Sequence, residues 1–192
     1  MEAISIIVNE HRALAAVLHG MLYLVHEIRD HDDKPDFNLF GAMIYYIDSF
    51  PERFHHPKED AYLFRLLRLR CPSAASLLDR LMEEHQAGAD KLRELRLALK
   101  RYRESGTAAL PEFAARAAGF AAFHWDHMRL EENEALPLAK AHLTGSDCDV
   151  IDAAFLGHTD PLFGAERGAE YQDLFRRIVD LAPPPIGKAP AR

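Results

Sequence analysis

Apolar side chains recur at helical spacing along most of the chain, and the breaks in that pattern divide it into segments. From about Ile4 to Arg29 the apolar positions Ile4, Ile7, Val8, Leu14, Ala15, Leu18, Leu22 and Val25 form one face of a first helix, with His11 near the middle of the stripe. The run from His31 to Asp36, with Pro35 inside it, interrupts the pattern as a turn, and Asp36 is placed to cap the next helix. That second helix is predicted from about Phe37 to Arg70. At 100° per residue, Ile44, Ile47, Pro51, Phe54, His55 and Tyr62 share one stripe, with Glu59 at its edge and His56 and Asp60 turned toward solvent. Pro57 should kink this helix and free a backbone carbonyl. Cys71-Pro72-Ser73 makes the next turn. The third helix carries Leu78, Leu81, Met82, Leu92, Leu95 and Leu99 on one face, with His85 among them, and stops at Ser105-Gly106-Thr107. The fourth begins at Pro111-Glu112. Its buried face is Phe113, Ala117, Phe120, Ala121, His124, His127, Met128 and Glu131, and Pro137 bends its last turns.

No stretch alternates convincingly enough to be a strand. Four long amphipathic helices joined by short turns predict an all-α fold, an up-down-up-down four-helix bundle over residues 1–144. After Thr144-Gly145, the segments Asp147 to Phe155 and about Ala165 to Leu181 read as shorter helices. Between them lies Gly157-His158-Thr159-Asp160-Pro161, where His158 and Asp160 shape a turn. Residues 145–182 are expected to form a helical extension packed on the bundle, and the Pro-rich tail 183–192 to be extended.

Charged and imidazole groups on apolar faces need partners, because a carboxylate beside a core is costly unless paired or bound to a cation. Two patterns repeat here. Glu10-His11 recurs as Glu84-His85, 74 positions on, and His55-x-x-x-Glu59 recurs as His127-x-x-x-Glu131, 72 positions on. Near-equal offsets suggest two helical hairpins of similar design facing each other. A rise of about 1.5 Å per residue, counted from the predicted turns, puts His11, His55, His85 and His127 in one layer, with His19 and His26 too far along helix 1 to join. Four imidazoles and two glutamates in one core layer point to metal chemistry: iron, manganese or zinc, with Glu59 and Glu131 able to bridge two ions. Six side chains cannot saturate two octahedral ions, so open positions would remain for dioxygen, nitric oxide or peroxide. His124, three residues from His127, reads as a partner of Glu131, an extra ligand or core filling, and Tyr62 as a hydrogen-bond partner of a bridging glutamate or a core residue.

The chain has 192 residues, a net charge of −7, eleven histidines and two cysteines. That length suits one domain with a sizeable core. The acidic balance argues against nucleic acid or an anionic membrane surface as partner. Cys71 and Cys148 make no disulfide framework, no apolar run is long enough to span a membrane, and the N-terminus is too short and acidic for a signal peptide. A cytoplasmic protein is the expectation. The clusters Arg65 to Arg70 and Lys100 to Arg103 sit at helix C-termini, where cations oppose the dipole.

The stretches EHRAL, FPERFHHPKEDAYLF, LMEEHQ and HMRLEENEALPLA resemble the hemerythrin-like (HHE cation-binding) family over roughly Ile4 to His142. AAFLGHTDPLFG resembles the C-terminal extension of a bacterial subgroup of that family. The resemblance implies a non-haem di-iron site with ligands His11, His55, Glu59, His85, His127 and Glu131, in which zinc or manganese could substitute. One departure is visible. Oxygen-carrying hemerythrins have two histidines one turn apart on helix 3, whereas the neighbours of His85 at that spacing are Leu81 and Ala89. Four histidines with two glutamates are more similar to the repair-of-iron-centres proteins, whose N-terminal cysteine-bearing domain has no counterpart here. The expected function is therefore a di-iron protein that binds or senses dioxygen, nitric oxide or reactive oxygen and nitrogen species, in the manner of a stress-response protein. The alternative is a redox enzyme or iron-centre repair protein acting on peroxide or nitric oxide, or donating iron to iron–sulfur proteins. The reading admits a homodimer and a protein redox partner.

Overall fold

The computed structural model describes residues 1–31 and 33–157, together with Asp160, Leu174, 176–178 and Asp180. Helix α1 is Glu2–His31. Helix α2, residues 37–70, opens at Asp36, whose carboxylate accepts from the Asn38 and Leu39 amides as the sequence suggested. Helix α3 is Ala75–Ser105, entered through a 3-10 turn at Pro72–Ala74. It ends at Gly106, whose φ of 67° only glycine adopts freely. Helix α4 covers residues 110–142 and helix α5 is Gly145–Leu156. The described residues contain no strand. The four long helices run alternately up and down, as the periodicity predicts.

Two apolar clusters fill the bundle, one on each side of a polar layer. The larger holds Leu14 to Ile28 of α1, Leu39 to Phe50 of α2, Leu92 to Tyr102 of α3 and Phe113 to Met128 of α4. The smaller holds Ala3 to Ile7, Leu63 to Leu67, Leu78, Leu81, Ala135 to Ala139 and, from α5, Ile151 and Phe155. Helix α5 is fixed on that end by a capping box between Thr144 and Asp147. The Arg70 guanidinium also grips Asp147 with two hydrogen bonds of 2.7 and 3.1 Å. Beyond α5, Tyr46 donates to Asp160 at 2.8 Å, while Leu174 and Ile178 pack into the larger cluster. Apart from Leu174, 176–178 and Asp180, the segment expected to be helical from about Ala165 to Leu181 lies outside the described residues, as do His158 and the tail 183–192.

Helices α2 and α4 are not uniform. Residues Pro51–His55, Glu59–Phe64 and Glu131–Ala135 are π-helical. The His55 amide reaches back five residues to the Phe50 carbonyl, and the His56 amide reaches Pro51. Pro57 has no N–H to hold the tighter i to i−4 ladder, so the wider turn beside it comes at little cost. Each π turn advances the register, and this overturns the uniform stripe expected for α2. Phe54 and Tyr62 are 47% and 37% exposed, Glu59 is fully buried, and His56, expected in solvent, is only 5% exposed.

Candidate metal centre

The polar layer takes one short motif from each helix. Helix α1 contributes Glu10 and His11, α3 contributes Glu84 and His85, α2 contributes His55, His56, Glu59 and Asp60, and α4 contributes His127, Glu131 and Glu132. The four histidines expected to share a layer do so, all of them buried. Each gives its Nδ1–H to a carboxylate. His11 donates to Glu132 (2.8 Å), His55 to Glu10 (2.7 Å), His85 to Asp60 (2.9 Å) and His127 to Glu84 (3.0 Å). An acid on Nδ1 fixes the tautomer and points the Nε2 lone pair inward.

Those lone pairs converge on the two glutamates. His55 Nε2 lies 3.0 Å from Glu59 Oε1, and His85 Nε2 lies 3.5 Å from Glu59 Oε2. Glu131 Oε2 stands 3.4 Å from His11 Nε2 and 4.0 Å from His127 Nε2. Two ligand groups result, His11 with His55, Glu59 and Glu131, and His56 with His85 and His127; the ligating atoms of each group lie within 4.8 Å of one another. Glu59 turns one oxygen toward each group, the placement a bridging carboxylate needs.

The donor set fits cations and little else. Both oxygens of Glu59, both of Glu131, and Nε2 of His11 and His55 are buried without a hydrogen-bond partner. With Nδ1–H committed to Asp60 and Glu84, His85 and His127 hold bare Nε2 lone pairs 3.1 Å apart, which repel unless a positive charge lies between them. In the protein alone, protons take up part of that role. Burial, reinforced by repulsion from Glu131, pushes the Glu59 carboxyl up to about 8. Burial opposes charge on His11, but the Glu131 carboxylate 3.4 Å from Nε2 and the hydrogen bond to Glu132 override it and raise the imidazole to about 9. His85 and His127 are held below the usual imidazole range, chiefly by burial. A cation entering the layer would displace these protons.

The network obeys an approximate two-fold relation that exchanges α1 with α3 and α2 with α4. Glu10 on His55 matches Glu84 on His127, and His11 on Glu132 matches His85 on Asp60. His56 breaks it. The residue 72 positions on is Met128. His56 is buried, its ring stacked on His85 with centroids 4.2 Å apart.

The family model described as Hemerythrin HHE cation binding domain matches residues 2–139, a span that contains every side chain of this layer. The chain belongs to that family. No curated protein and no solved structure matches it. The structure brings His11, His55, Glu59, His85, His127 and Glu131 together in this layer, with His56 beside them as a seventh candidate ligand. His124 does not face Glu131 as expected: its Nδ1–H donates to the Phe120 carbonyl and its Nε2 lies 3.8 Å from Glu52. Tyr62 is no partner of a bridging glutamate, since neither Glu59 oxygen accepts a hydrogen bond. The outer acids Glu10, Glu84, Asp60 and Glu132 were not recognised from sequence. Their signal was the position of each acid, directly before His11 or His85, or directly after Glu59 or Glu131.

Proposed function

We propose that this hemerythrin-family protein holds two iron ions between Glu59 and Glu131. Acting in the cytoplasm, it would bind or sense dioxygen, nitric oxide or a peroxide at the ion held by His11 and His55. The observation that carries this reading is the inequality of the two ligand groups. One has three imidazoles, while the other has two and Met128 where the relation would place a third. A thioether is too soft a donor to complete the shell of a ferrous or ferric ion. Met128 and His11 both line a cleft of about 260 Å³ between α1 and α4, with Ala15, Trp125, Arg129 and Glu132. That cleft would be the approach of a small ligand to the less saturated position. An iron pair with an open position supplies electrons or Lewis acidity to such a ligand. The protein's share is to fix the imidazoles through their Nδ1 acids and to surround the pair with two apolar clusters.

The test is anaerobic iron loading followed by dioxygen, azide or nitric oxide, read as new charge-transfer absorption. Met128→His should suppress that response by filling the position, and Met128→Leu should preserve it. An iron-loaded protein whose spectrum none of the three ligands changes would refute the reading. Turnover of peroxide or nitric oxide, or transfer of iron to an apo cluster protein, would instead assign it to the enzymes or repair proteins.

A further inference from the structure

We propose that Glu52 and His124 are positioning residues that hold His56 as the third nitrogen ligand of the ion it shares with His85 and His127. This rests on the two-ion reading above.

His56 differs from the other layer histidines in how its outer nitrogen is met. The other four Nδ1 atoms have a carboxylate at 2.7 to 3.0 Å. His56 Nδ1 faces Glu52 Oε2 at 3.6 Å. Glu52 in turn offers Oε1 to His124 Nε2 at 3.8 Å, and His124 is locked by its 3.0 Å bond to the Phe120 carbonyl and by its Phe120 ring contact. The chain of contacts therefore runs from the backbone of α4, through His124 and Glu52, to His56. His56 Nδ1, Glu52 Oε1 and His124 Nε2 are all buried, and none has a hydrogen-bond partner. Three unsatisfied polar atoms along one line are costly in the resting geometry, and the gaps are small enough for side-chain rotation to close.

Two further observations show that the space is shaped for this chain. Residue 88 of α3 is glycine, and a Cβ there would lie 3.4 Å from Glu52 Oε1 and 3.5 Å from His124 Nε2. Positions 52 and 124 are also counterparts under the two-fold relation. An acid and an imidazole meet there, on the side that carries the extra imidazole. An apolar residue at 52 would pack between α2, α3 and α4 without burying a charge. With Nδ1 turned to Glu52, Nε2 is the nitrogen of His56 left for an ion, the same division of labour as in the other four.

The experiment is anaerobic titration of the metal-free full chain with cobalt(II), followed by calorimetry and visible d–d absorption. The wild-type protein is expected to take up two equivalents in separable steps. Glu52→Gln and His56→Gln should each weaken the same step by about 10- to 100-fold, with the same change in its cobalt spectrum, while leaving the other step intact. His124→Phe should weaken that step by a smaller factor. His11→Gln should weaken the opposite step. The double variant Glu52→Gln with His56→Gln should bind no worse than His56→Gln alone, because Glu52 acts through His56. Metal-free circular dichroism and thermal melts of each variant separate these effects from loss of fold. Additive losses in the double variant, or a Glu52→Gln protein with both steps unchanged, would overturn the proposal while leaving two ions in place. A wild-type chain that binds at most one cobalt would overturn the two-ion reading, and this inference with it.

Discussion

Glu59 is fully buried with both oxygens unpartnered, and its cost in the metal-free protein can be read from its titration. Its carboxyl, ordinarily near 4.5, is raised to about 8 by burial and then by Glu131. An acid whose folded value is raised destabilises the fold above its unfolded value, and the penalty grows until the folded value is reached. Above about pH 4.5 that penalty therefore grows as the pH rises toward neutrality. Glu59→Gln should therefore stabilise the chelator-treated protein at pH 7 while abolishing tight binding of a second ion. Urea denaturation across pH checks this: the two proteins should converge near pH 4.5, and a variant no more stable at pH 7 would contradict it. At the same scale, Glu10→Gln and Glu84→Gln should each lower metal affinity by about 10- to 100-fold in competition with a chelator. The layer histidines were legible because each interrupts an apolar stripe. The acids that orient them left only their place beside a layer histidine or glutamate as a signal; which histidine each one serves was not legible, because Glu10 serves a histidine 45 residues away on another helix and spacing along one helix carries no trace of that pairing.

The elements follow the periodicity closely where they are α-helical and depart from it where they are not. A constant 100° per residue misplaced His56, Phe54 and Tyr62 because the π segments Pro51–His55 and Glu59–Phe64 rotate α2 beneath them. No residue pattern signals a π turn as Asp or Ser signals a cap, although Pro57 marked where the ladder would be interrupted. The caps and stops were legible because their chemistry is local. Asp36→Ala should cost about 1 kcal/mol, since two amides at the start of α2 lose their acceptor. Gly106→Ala should cost about 1 to 3 kcal/mol; no neighbour lies within 4 Å of the added Cβ, so the loss is backbone strain alone. Both are measured by chemical denaturation, and neither should change the dependence on denaturant concentration.

As a whole molecule the protein is two apolar clusters clamped about a charged layer, and the layer is the weak plane when no ion fills it. Ion binding to the folded state alone stabilises by about 4 kcal/mol at a free concentration near a thousand times Kd. Chelation of the loaded protein should thus lower Tm by about 10 °C, with full recovery on adding metal back. A melting point indifferent to chelation would mean that the layer holds no tightly bound ion. The bundle was legible at this scale because helix lengths and turns set its topology. The contact of Tyr46 with Asp160, 114 positions away, was not, because neither residue carried a pattern that joined them. No helix among the described residues is long and apolar enough to cross a membrane.

The outer acids matter beyond geometry. Glu59 and Glu131 within the layer, and Glu10, Glu84, Asp60, Glu132 and Glu52 around it, surround imidazoles that are uncharged when they bind metal. For iron held as proposed, so much negative charge favours the ferric over the ferrous state. One charge about 8 Å away in a medium of effective dielectric about 20 contributes roughly 2 kcal/mol, on the order of 100 mV of reduction potential. Neutralising Glu84 as glutamine should make the iron pair easier to reduce, and protein film voltammetry would read the shift directly.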